Sequence, residues 1–230
     1  MSKQEQYRRA MDKYEHHVVY RNIGTVVACV IVVLQAVCIA KLSWSSATLA
    51  WIPLFILAFV LADFVNGIIH MVMDNTDDYT SIVGPLVAAF HRHHHIPRYR
   101  DRPALVVFFA ENGMKNWLAV YMVVLVATMS HLPAAVAFTL LAFSLLSSTA
   151  ELSHYFSHNS TNRLVHALQQ ARILLHPDHH WVHHKADNTH YSFLNGMTNP
   201  LVNFIAKRAY PRGYVTTTNA HSSPYYQGKS

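Results

Sequence analysis

The amino-acid sequence predicts an all-α integral membrane protein with about four transmembrane helices and a histidine-rich helical cap that holds a di-metal site. Two features of composition support this fold class. First, 52% of the 230 residues are hydrophobic and only 13% are charged, whereas about a quarter of the residues in a soluble domain are charged. Second, the apolar residues form long stretches separated by segments rich in basic residues and histidine.

Four stretches are candidates for membrane spans, which require about 20 apolar residues or somewhat fewer where the bilayer thins. They cover residues 23–40, 47–69, 117–130 and 133–150. The apolar stretch at 104–110 is too short to span, so we expect it to lie at the interface or to re-enter the membrane. Because a polar segment of 22 residues precedes the first stretch and another apolar stretch follows soon after, we expect a retained helix rather than a cleaved signal peptide.

Basic residues are distributed unequally between the two sides of this four-span arrangement. Residues 1–22, 70–116 and 151–230 lie on one side with 5, 5 and 7 of the 18 lysines and arginines, which leaves only Lys41 on the other side. The positive-inside rule therefore predicts that the first side is cytoplasmic. We expect a cytoplasmic N-terminal segment over 1–22, a membrane-embedded domain over 23–207, and a flexible tail over 208–230.

The net charge of +6 restricts the class of binding partner. Such an excess of positive charge suits either nucleic acid or an anionic lipid surface. Because no run of lysine and arginine with interleaved aromatic residues occurs, we expect lipid and no nucleic acid.

Most of the 18 histidines are grouped near the ends of the predicted spans, on the predicted cytoplasmic side. His154 and His158 are spaced i, i+4, so both rings project from one face of a helix. An HxxHH pattern places three further rings on one face, and it occurs twice: at His91, His94 and His95, and at His180, His183 and His184.

The second predicted span carries a polar stripe on an otherwise apolar helix. Asp63, Asn66, His70 and Asp74 follow one another at i, i+3, i+7 and i+11. Polar groups at membrane depth are costly and usually face a functional interior. We therefore expect this stripe to face the histidine groups.

The number and type of these side chains indicate metal binding. A zinc site uses three or four protein ligands, so the eight to ten histidines available are enough for two ions. Imidazole suits iron, zinc, copper and nickel, and the lack of cysteine ligands favours a redox-active ion. We interpret the pattern as a di-iron site that activates O2 beside the bilayer and attacks a C–H bond of a lipid chain. Spacing does not decide between an alkene and an alcohol as product.

A protein of another class, a histidine-rich metal transporter or sensor, is the main alternative. Transport predicts polar residues through the middle of the bilayer. The first, third and fourth stretches contain almost none, so we favour oxidative lipid chemistry.

Residues 70–200 resemble the Kua-type lipid desaturases, the family that includes plasmanylethanolamine desaturase and the CarF proteins. The matching segments, in order along the chain, are HMVMD, RHHHI, HYFSH and LQQARILLHPDHHWVHH, followed by Tyr191 and the pair Asn199-Pro200. The resemblance implies that the metal ligands are His70, His94, His95, His154, His158, His180, His183 and His184. We expect further ligands, or residues that orient ligands, among Asp74, His91, His179, Glu151 and Tyr191. Of these, His91 and Glu151 depart from the family pattern, as does His93.

The resemblance also implies the reaction: desaturation of a membrane lipid with two iron ions and O2, most simply the conversion of a plasmanyl (alkyl ether) phospholipid into a plasmenyl (vinyl ether) plasmalogen. An acyl-lipid desaturase or a hydroxylase with the same ions is the alternative. The sequence contains no CxxCH motif, no GxGxxG motif and no four-cysteine cluster site, so we expect an external electron donor of the cytochrome b5 or ferredoxin type. Arg92, Arg98, Arg100 and Arg102 would suit an acidic donor or lipid phosphates.

Overall fold

A computed structural model describes residues 1–43, 51–95, 103–111, 115–186 and 188–211, in which helices are the regular secondary structure and no strand occurs. The all-α fold class is therefore confirmed. A 3-10 turn, Met129–His131, follows the sixth helix. The α-helices in this part of the chain are α1 (Lys3–His16), α2 (Val18–Lys41), α3 (Trp51–Asp74), α4 (Gly84–His95), α5 (Ala104–Glu111), α6 (Asn116–Thr128), α7 (Ala134–Asn159), α8 (Arg163–Gln170), α9 (Pro177–Lys185) and α10 (Asn199–Ala209).

Three of these helices, α2, α3 and α7, are long and apolar enough to cross a membrane. Many of their aliphatic side chains are exposed, as in Val33 of α2 and Leu57 of α3, which suits contact with lipid chains. The third predicted span corresponds to a shorter apolar helix, Asn116–His131, so the fourth crossing stays a prediction. The predicted interfacial stretch forms the short helix α5.

Two predicted boundaries lie inside helices, and the one between residues 207 and 208 lies in α10, which ends at Ala209. Helix α2 begins at Val18, so the expected boundary between residues 22 and 23 lies inside it. Residues 47–50 of the second predicted stretch, and residues 212–230 of the predicted tail, lie outside the described residues.

Helices α3 and α7 pack against each other with the same direction. Asn66 Nδ2 donates a hydrogen bond to Ser147 Oγ at 3.0 Å. One turn later on α3 and two turns later on α7, the rings of His70 and His154 lie 5.9 Å apart. Small residues allow the two backbones to approach, as they commonly do between membrane helices. The buried alanines of this core are Ala58, Ala62, Ala142 and Ala150.

Helices α2 and α6 run in the opposite direction to α3 and α7. Tyr20, at the start of α2, donates to the Ile82 carbonyl oxygen at 2.6 Å, close to the end of α3 in the chain. At the other end of α2, Lys41 Nζ donates to the Val126 carbonyl oxygen near the end of α6 at 2.8 Å. Because α7 runs parallel to α3, α6 must return the chain to the level at which α7 begins.

The amphipathic helix α1 packs against α4. Its buried residues Tyr7 and Ala10 contact Tyr79, Val87 and Ala88, and the rings of Tyr7 and Tyr79 meet edge to face at 5.5 Å. The start of α1 is closed by a capping box between Ser2 and Glu5. Helix α1 therefore supports α4 from the side.

The buried carboxylate of Asp63 holds the loop between α9 and α10 against α3. Its Oδ1 accepts from the backbone N–H groups of residues 194, 195 and 196 at 3.0–3.1 Å. Its Oδ2 accepts from the Thr198 N–H at 2.9 Å and the Thr198 hydroxyl at 2.6 Å. Asp63 is fully buried. Its carboxylate therefore provides hydrogen-bond partners for backbone N–H groups that water cannot reach.

Two glycines allow this loop to lie so close to α3. A Cβ atom on Gly67 would lie 2.5 Å from Ser192 Oγ and 3.1 Å from Ser192 Cα. Any residue larger than glycine would therefore clash with Ser192. Gly196 has a φ of +82°, in the left-handed region that glycine adopts without steric cost. The path of the loop therefore depends on both positions.

We predict that Asp63→Asn destabilises the protein by about 3–5 kcal/mol, because an amide supplies only one acceptor oxygen and no charge to five buried donors. Thermal unfolding of the purified protein in detergent measures the effect. Asp12→Asn is the matched control, since the side chain of Asp12 is 77% exposed. Equal unfolding temperatures for both variants would contradict the role assigned to Asp63.

Candidate metal centre

The C-terminal ends of α3 and α7 meet α4 and α9 at one place, and the histidine groups converge there. Helix α3 supplies His70 and Asp74, one turn apart, and α7 supplies His154 and His158 with the same spacing. Helix α9 begins with Pro177 in its first turn and with the His176 side chain accepting from the Asp178 N–H at 3.2 Å. This start gives α9 the register in which its histidines lie on one face.

The described residues form two compact groups of candidate metal ligands, and in each group the ligand atoms lie within 4.8 Å of one another. No residue is shared between the groups. Group one consists of His70, Asp74, His93, His94 and His183. Group two consists of His154, His158, His180 and His184.

In group one, the carboxylate of Asp74 lies among the imidazoles. Asp74 Oδ2 is 3.2 Å from His70 Nε2 and 3.2 Å from His183 Nε2, and Asp74 Oδ1 is 3.0 Å from His94 Nε2. All members of the group are buried. A carboxylate that is shielded from water in this way requires positive charge beside it.

The ring orientations in group one direct lone pairs at that carboxylate. His70 Nδ1 donates to the Tyr191 carbonyl oxygen at 2.8 Å, and His183 Nδ1 donates to the Thr189 carbonyl oxygen at 2.9 Å. In its neutral form each ring therefore carries its hydrogen on Nδ1 and presents a bare Nε2 to Asp74 Oδ2, and no hydrogen bond is recorded to any of these three atoms. Acceptors facing each other repel unless a cation lies between them, so the arrangement fits a metal ion.

In group two, four imidazole nitrogens point at one another. His180 Nε2 lies 2.9 Å from His154 Nε2, 2.9 Å from His158 Nε2 and 3.0 Å from His184 Nε2. Nitrogens bound at about 2.1 Å to one ion are about 3.0 Å apart at a right angle and about 3.4 Å apart in a tetrahedron. The observed separations therefore fit four ligands of a single ion.

The two groups lie side by side. The ring of His93 in group one is 5.0 Å from that of His154 and 5.4 Å from that of His184 in group two. His94 is 5.0 Å from His184. Two ions held by these groups would therefore be neighbours that act on one substrate.

Burial keeps four histidines of α4 and α9, His93, His94, His180 and His184, in the neutral form that binds metal. Removal from water lowers the pKa of His94 to about 3, although the Asp74 carboxylate acts in the opposite direction. The pKa values of His93, His180 and His184 lie well below the usual value, because burial and neighbouring imidazoles both disfavour the charged form. These rings keep their lone pairs at neutral pH.

The structure places seven of the eight predicted ligands in the two groups, and the side chain of the eighth, His95, lies outside the described residues. Asp74 is a member of group one. Tyr191 orients His70 through its carbonyl oxygen, and Glu151 Oε2 lies 3.8 Å from His154 Nδ1. Arg98, Arg100 and Arg102 also lie outside the described residues, whereas Arg92 pairs with Glu15 at 3.2 Å.

Two predicted histidines, His91 and His179, lie in neither group. His91 Nδ1 is 2.8 Å from the Tyr79 hydroxyl and its Nε2 donates to the Met73 carbonyl oxygen at 2.9 Å, so His91 joins α4 to the segment after α3. His179 Nε2 contacts Asn199 Nδ2 at 2.6 Å and its ring lies 4.7 Å from that of His190. Both histidines have structural partners away from the candidate ligands.

Sequence reasoning missed two residues of the site. His93 belongs to group one, although the HxxHH pattern favoured its neighbours; its Nδ1 donates to the Phe90 carbonyl oxygen at 2.7 Å and directs Nε2 inwards. Lys115 is 3% exposed and pairs with Glu151 beside group two. An isolated lysine between two apolar stretches was the available signal for it.

We predict that the metal-free protein loses stability as the pH falls below about 6.5. The folded-state pKa values of His93, His94, His180 and His184 are lowered, so the unfolded chain takes up protons first and the free energy of unfolding decreases with falling pH. The expected slope is up to about 1.4 kcal/mol per pH unit for each histidine that stays neutral. Thermal unfolding between pH 7.5 and 5.5 in the presence of EDTA measures it, and a flat profile would show that the rings are not held neutral.

Comparison with known families gives one match. A family model described as the lipid desaturase domain matches residues 59–207, which is more than half of the chain. The matched range begins in α3 and ends in α10, and it includes every residue of groups one and two. Comparisons with curated proteins and with solved structures found no match. The predicted resemblance is confirmed, and the chain belongs to the Kua-type lipid desaturase family.

Proposed function

We propose that this membrane lipid desaturase is an O2-dependent, di-iron enzyme that converts a plasmanyl phospholipid into a plasmenyl plasmalogen. The observation that carries the proposal is the pair of adjacent, buried ligand groups at the ends of apolar helices. The family match supports desaturation, and the sequence resemblance supports the ether lipid.

The donor set suits iron. Imidazole nitrogens with one carboxylate oxygen are typical ligands of redox-active iron, whereas structural zinc sites usually include cysteine. Bound iron would supply the activation of O2 that breaks an unactivated C–H bond. The reaction removes two hydrogens from adjacent carbons and forms two waters from O2, with two electrons and two protons supplied from outside the chain.

The protein holds the ligands rigidly and keeps water away from them. Backbone carbonyl oxygens orient His70, His93 and His183, so their Nε2 atoms face inwards. The ring of Phe193 lies 5.3 Å from that of His70 and 5.4 Å from that of His154. An apolar ring against both groups favours an alkyl chain over water at the reacting position.

The topology supports an active site at the cytoplasmic end of the spans. His70 and His154 lie near the C-terminal ends of two parallel helices, so both groups lie at the same membrane level. The distribution of lysine and arginine supports a cytoplasmic position for that level. An even number of crossings, with α6 as the fourth, agrees with this arrangement.

Trp181 is a suitable entry point for electrons from an external donor protein. Its half-exposed ring lies 5.8 Å from the ring of His184 and 6.4 Å from that of His158. The exposed Lys185 places its ammonium 6.0 Å from the Trp181 ring. A positive charge at this position suits an acidic donor of the cytochrome b5 or ferredoxin type.

We predict that His183→Ala abolishes vinyl ether formation, with a loss of more than about 100-fold, because it removes a ligand of group one. The measurement is lipid mass spectrometry with and without acid treatment, in cells that contain alkyl ether phospholipids but make no plasmalogen of their own. His166→Ala is the matched control; this exposed ring contacts the Ser160 carbonyl oxygen and belongs to neither group.

The same lipid analysis distinguishes the alternatives. An acid-stable alkene in an acyl chain would indicate an acyl-lipid desaturase, and an alcohol would indicate a hydroxylase. Unchanged lipids with altered zinc uptake would indicate a metal transporter or sensor. Each of these results would overturn the plasmalogen proposal.

We also predict that the purified protein binds two iron ions per chain and that His180→Ala binds about one. His180 lies within 3.0 Å of the other three Nε2 atoms of group two and in contact with no atom of Asp74 that the structure records. Its loss therefore removes the ion of group two and spares that of group one. Iron analysis by mass spectrometry after removal of loosely bound metal checks the stoichiometry, and loss of both ions together would contradict two separable sites.

A further inference from the structure

A buried ammonium group lies beside group two. Lys115 Nζ pairs with Glu151 Oε1 at 3.3 Å, donates to Asn66 Oδ1 at 2.9 Å and to the Ser147 carbonyl oxygen, and lies 5.4 Å from the Phe193 ring. The side chain of Lys115 is only 4% exposed. Burial of a lysine is costly without compensation. The carboxylate of Glu151 is the negatively charged partner that offsets this cost.

That partner, Glu151, lies between Lys115 and a candidate metal ligand. Its Oε1 faces Lys115, and its Oε2 lies 3.8 Å from His154 Nδ1. At this distance the contact is electrostatic rather than a hydrogen bond. The other nitrogen of the same ring, Nε2, lies 2.9 Å from His180 Nε2 inside group two.

The two ligand groups differ in charge. Group one contains the carboxylate of Asp74, whereas group two consists of four histidines and no acidic member. A divalent or trivalent ion in group two would therefore be bound by neutral ligands alone in a region with little water. Glu151 supplies a negative charge one ring away from that ion, and Lys115 makes the burial of this carboxylate tolerable.

We propose that Lys115 and Glu151 are a positioning pair that orients His154 and stabilises the positively charged ion of group two. The inference rests on the proposed di-iron function. A negative charge near Nδ1 of a metal-bound histidine favours the tautomer with its hydrogen on that nitrogen and makes Nε2 a stronger donor. The pair therefore acts through His154 and does not contact the ion or the substrate.

Three variants separate this role from a purely structural one. Glu151→Gln keeps the shape and a hydrogen-bond acceptor but removes the charge. Lys115→Met leaves Glu151 buried without a cation, so it should lower the unfolding temperature most. The double variant Lys115→Met with Glu151→Gln removes both charges together and should recover much of that stability.

Cobalt binding is the first readout, because Co2+ absorbs visible light according to its coordination. We expect wild type to bind two Co2+ ions, and Glu151→Gln to bind one of them about 10- to 100-fold more weakly. The double variant should keep this weakened site even though its unfolding temperature recovers. In the iron-loaded Glu151→Gln variant, the reduction potential of one ion should shift to a more positive value than in wild type, because loss of the nearby negative charge disfavours the ferric state.

Gln35→Leu is the matched control, because it removes a buried polar contact with the same helix α7. Gln35 Nε2 donates to the Ser144 carbonyl oxygen at 3.1 Å and to Ser148 Oγ at 3.2 Å. This variant should lower the unfolding temperature and leave both cobalt sites and the potential unchanged.

The outcomes that overturn the inference differ from those that overturn the proposed function. Two cobalt sites of unchanged affinity in Glu151→Gln would show that the pair does not act on group two. Cobalt affinity that recovers together with stability in the double variant would show a structural role only. Wild-type protein that binds neither cobalt nor iron would overturn the di-iron function itself, and the inference with it.

Discussion

The parallel contact between α3 and α7 is the constraint on which the rest of the structure depends. It brings the last turns of both helices to one level, so that His70 and His154 lie within 5.9 Å of each other although 84 positions separate them in sequence (154 − 70). Helices α4 and α9 then need only to cover these ends to complete the two groups. The polar contact of Asn66 with Ser147 fixes the register one turn below His70, where a shift by a single residue would separate the ligand pairs.

Local spacing predicted the fold class, the long apolar helices and the pairs of ligands within one helix. Residues spaced i, i+4 on one helix share a face wherever that helix lies, so His154 with His158 and His70 with Asp74 follow from sequence alone. Helix α4 shows where this reasoning ends. Its HxxHH pattern defines a face that begins at His91, but Tyr79 and the Met73 carbonyl oxygen bind that ring, so α4 is rotated to present His93 and His94 to group one. Tertiary contacts set the rotation of a helix about its axis, and the spacing of residues along the sequence gives no information about those contacts.

The division of the ligands into two groups could not be predicted from the sequence either. His183 and His184 are neighbours on α9, yet His183 faces Asp74 and His184 faces His180. The loop after α9 decides this, because Thr189 and Tyr191 offer the carbonyl oxygens that orient His183 and His70. Asp63 anchors that loop through residues that lie 131 to 135 positions away in sequence. The polar stripe on α3 was visible, but four of the five donors to its first member are backbone N–H groups, which carry no sequence signal.

The two groups have different electrostatic surroundings, and this difference bears on how electrons and substrate reach them. Group one is fully buried and contains its own carboxylate, whereas group two includes the half-buried His158 and contacts Trp181 at the surface. A buried site with an internal negative charge holds its ion tightly and favours its higher charge state. A site of neutral ligands near the surface takes up an electron more readily. Under the proposed function, a donor bound at Trp181 would therefore lie nearer to group two, and the rings of His184 and His94 join the two groups at 5.0 Å.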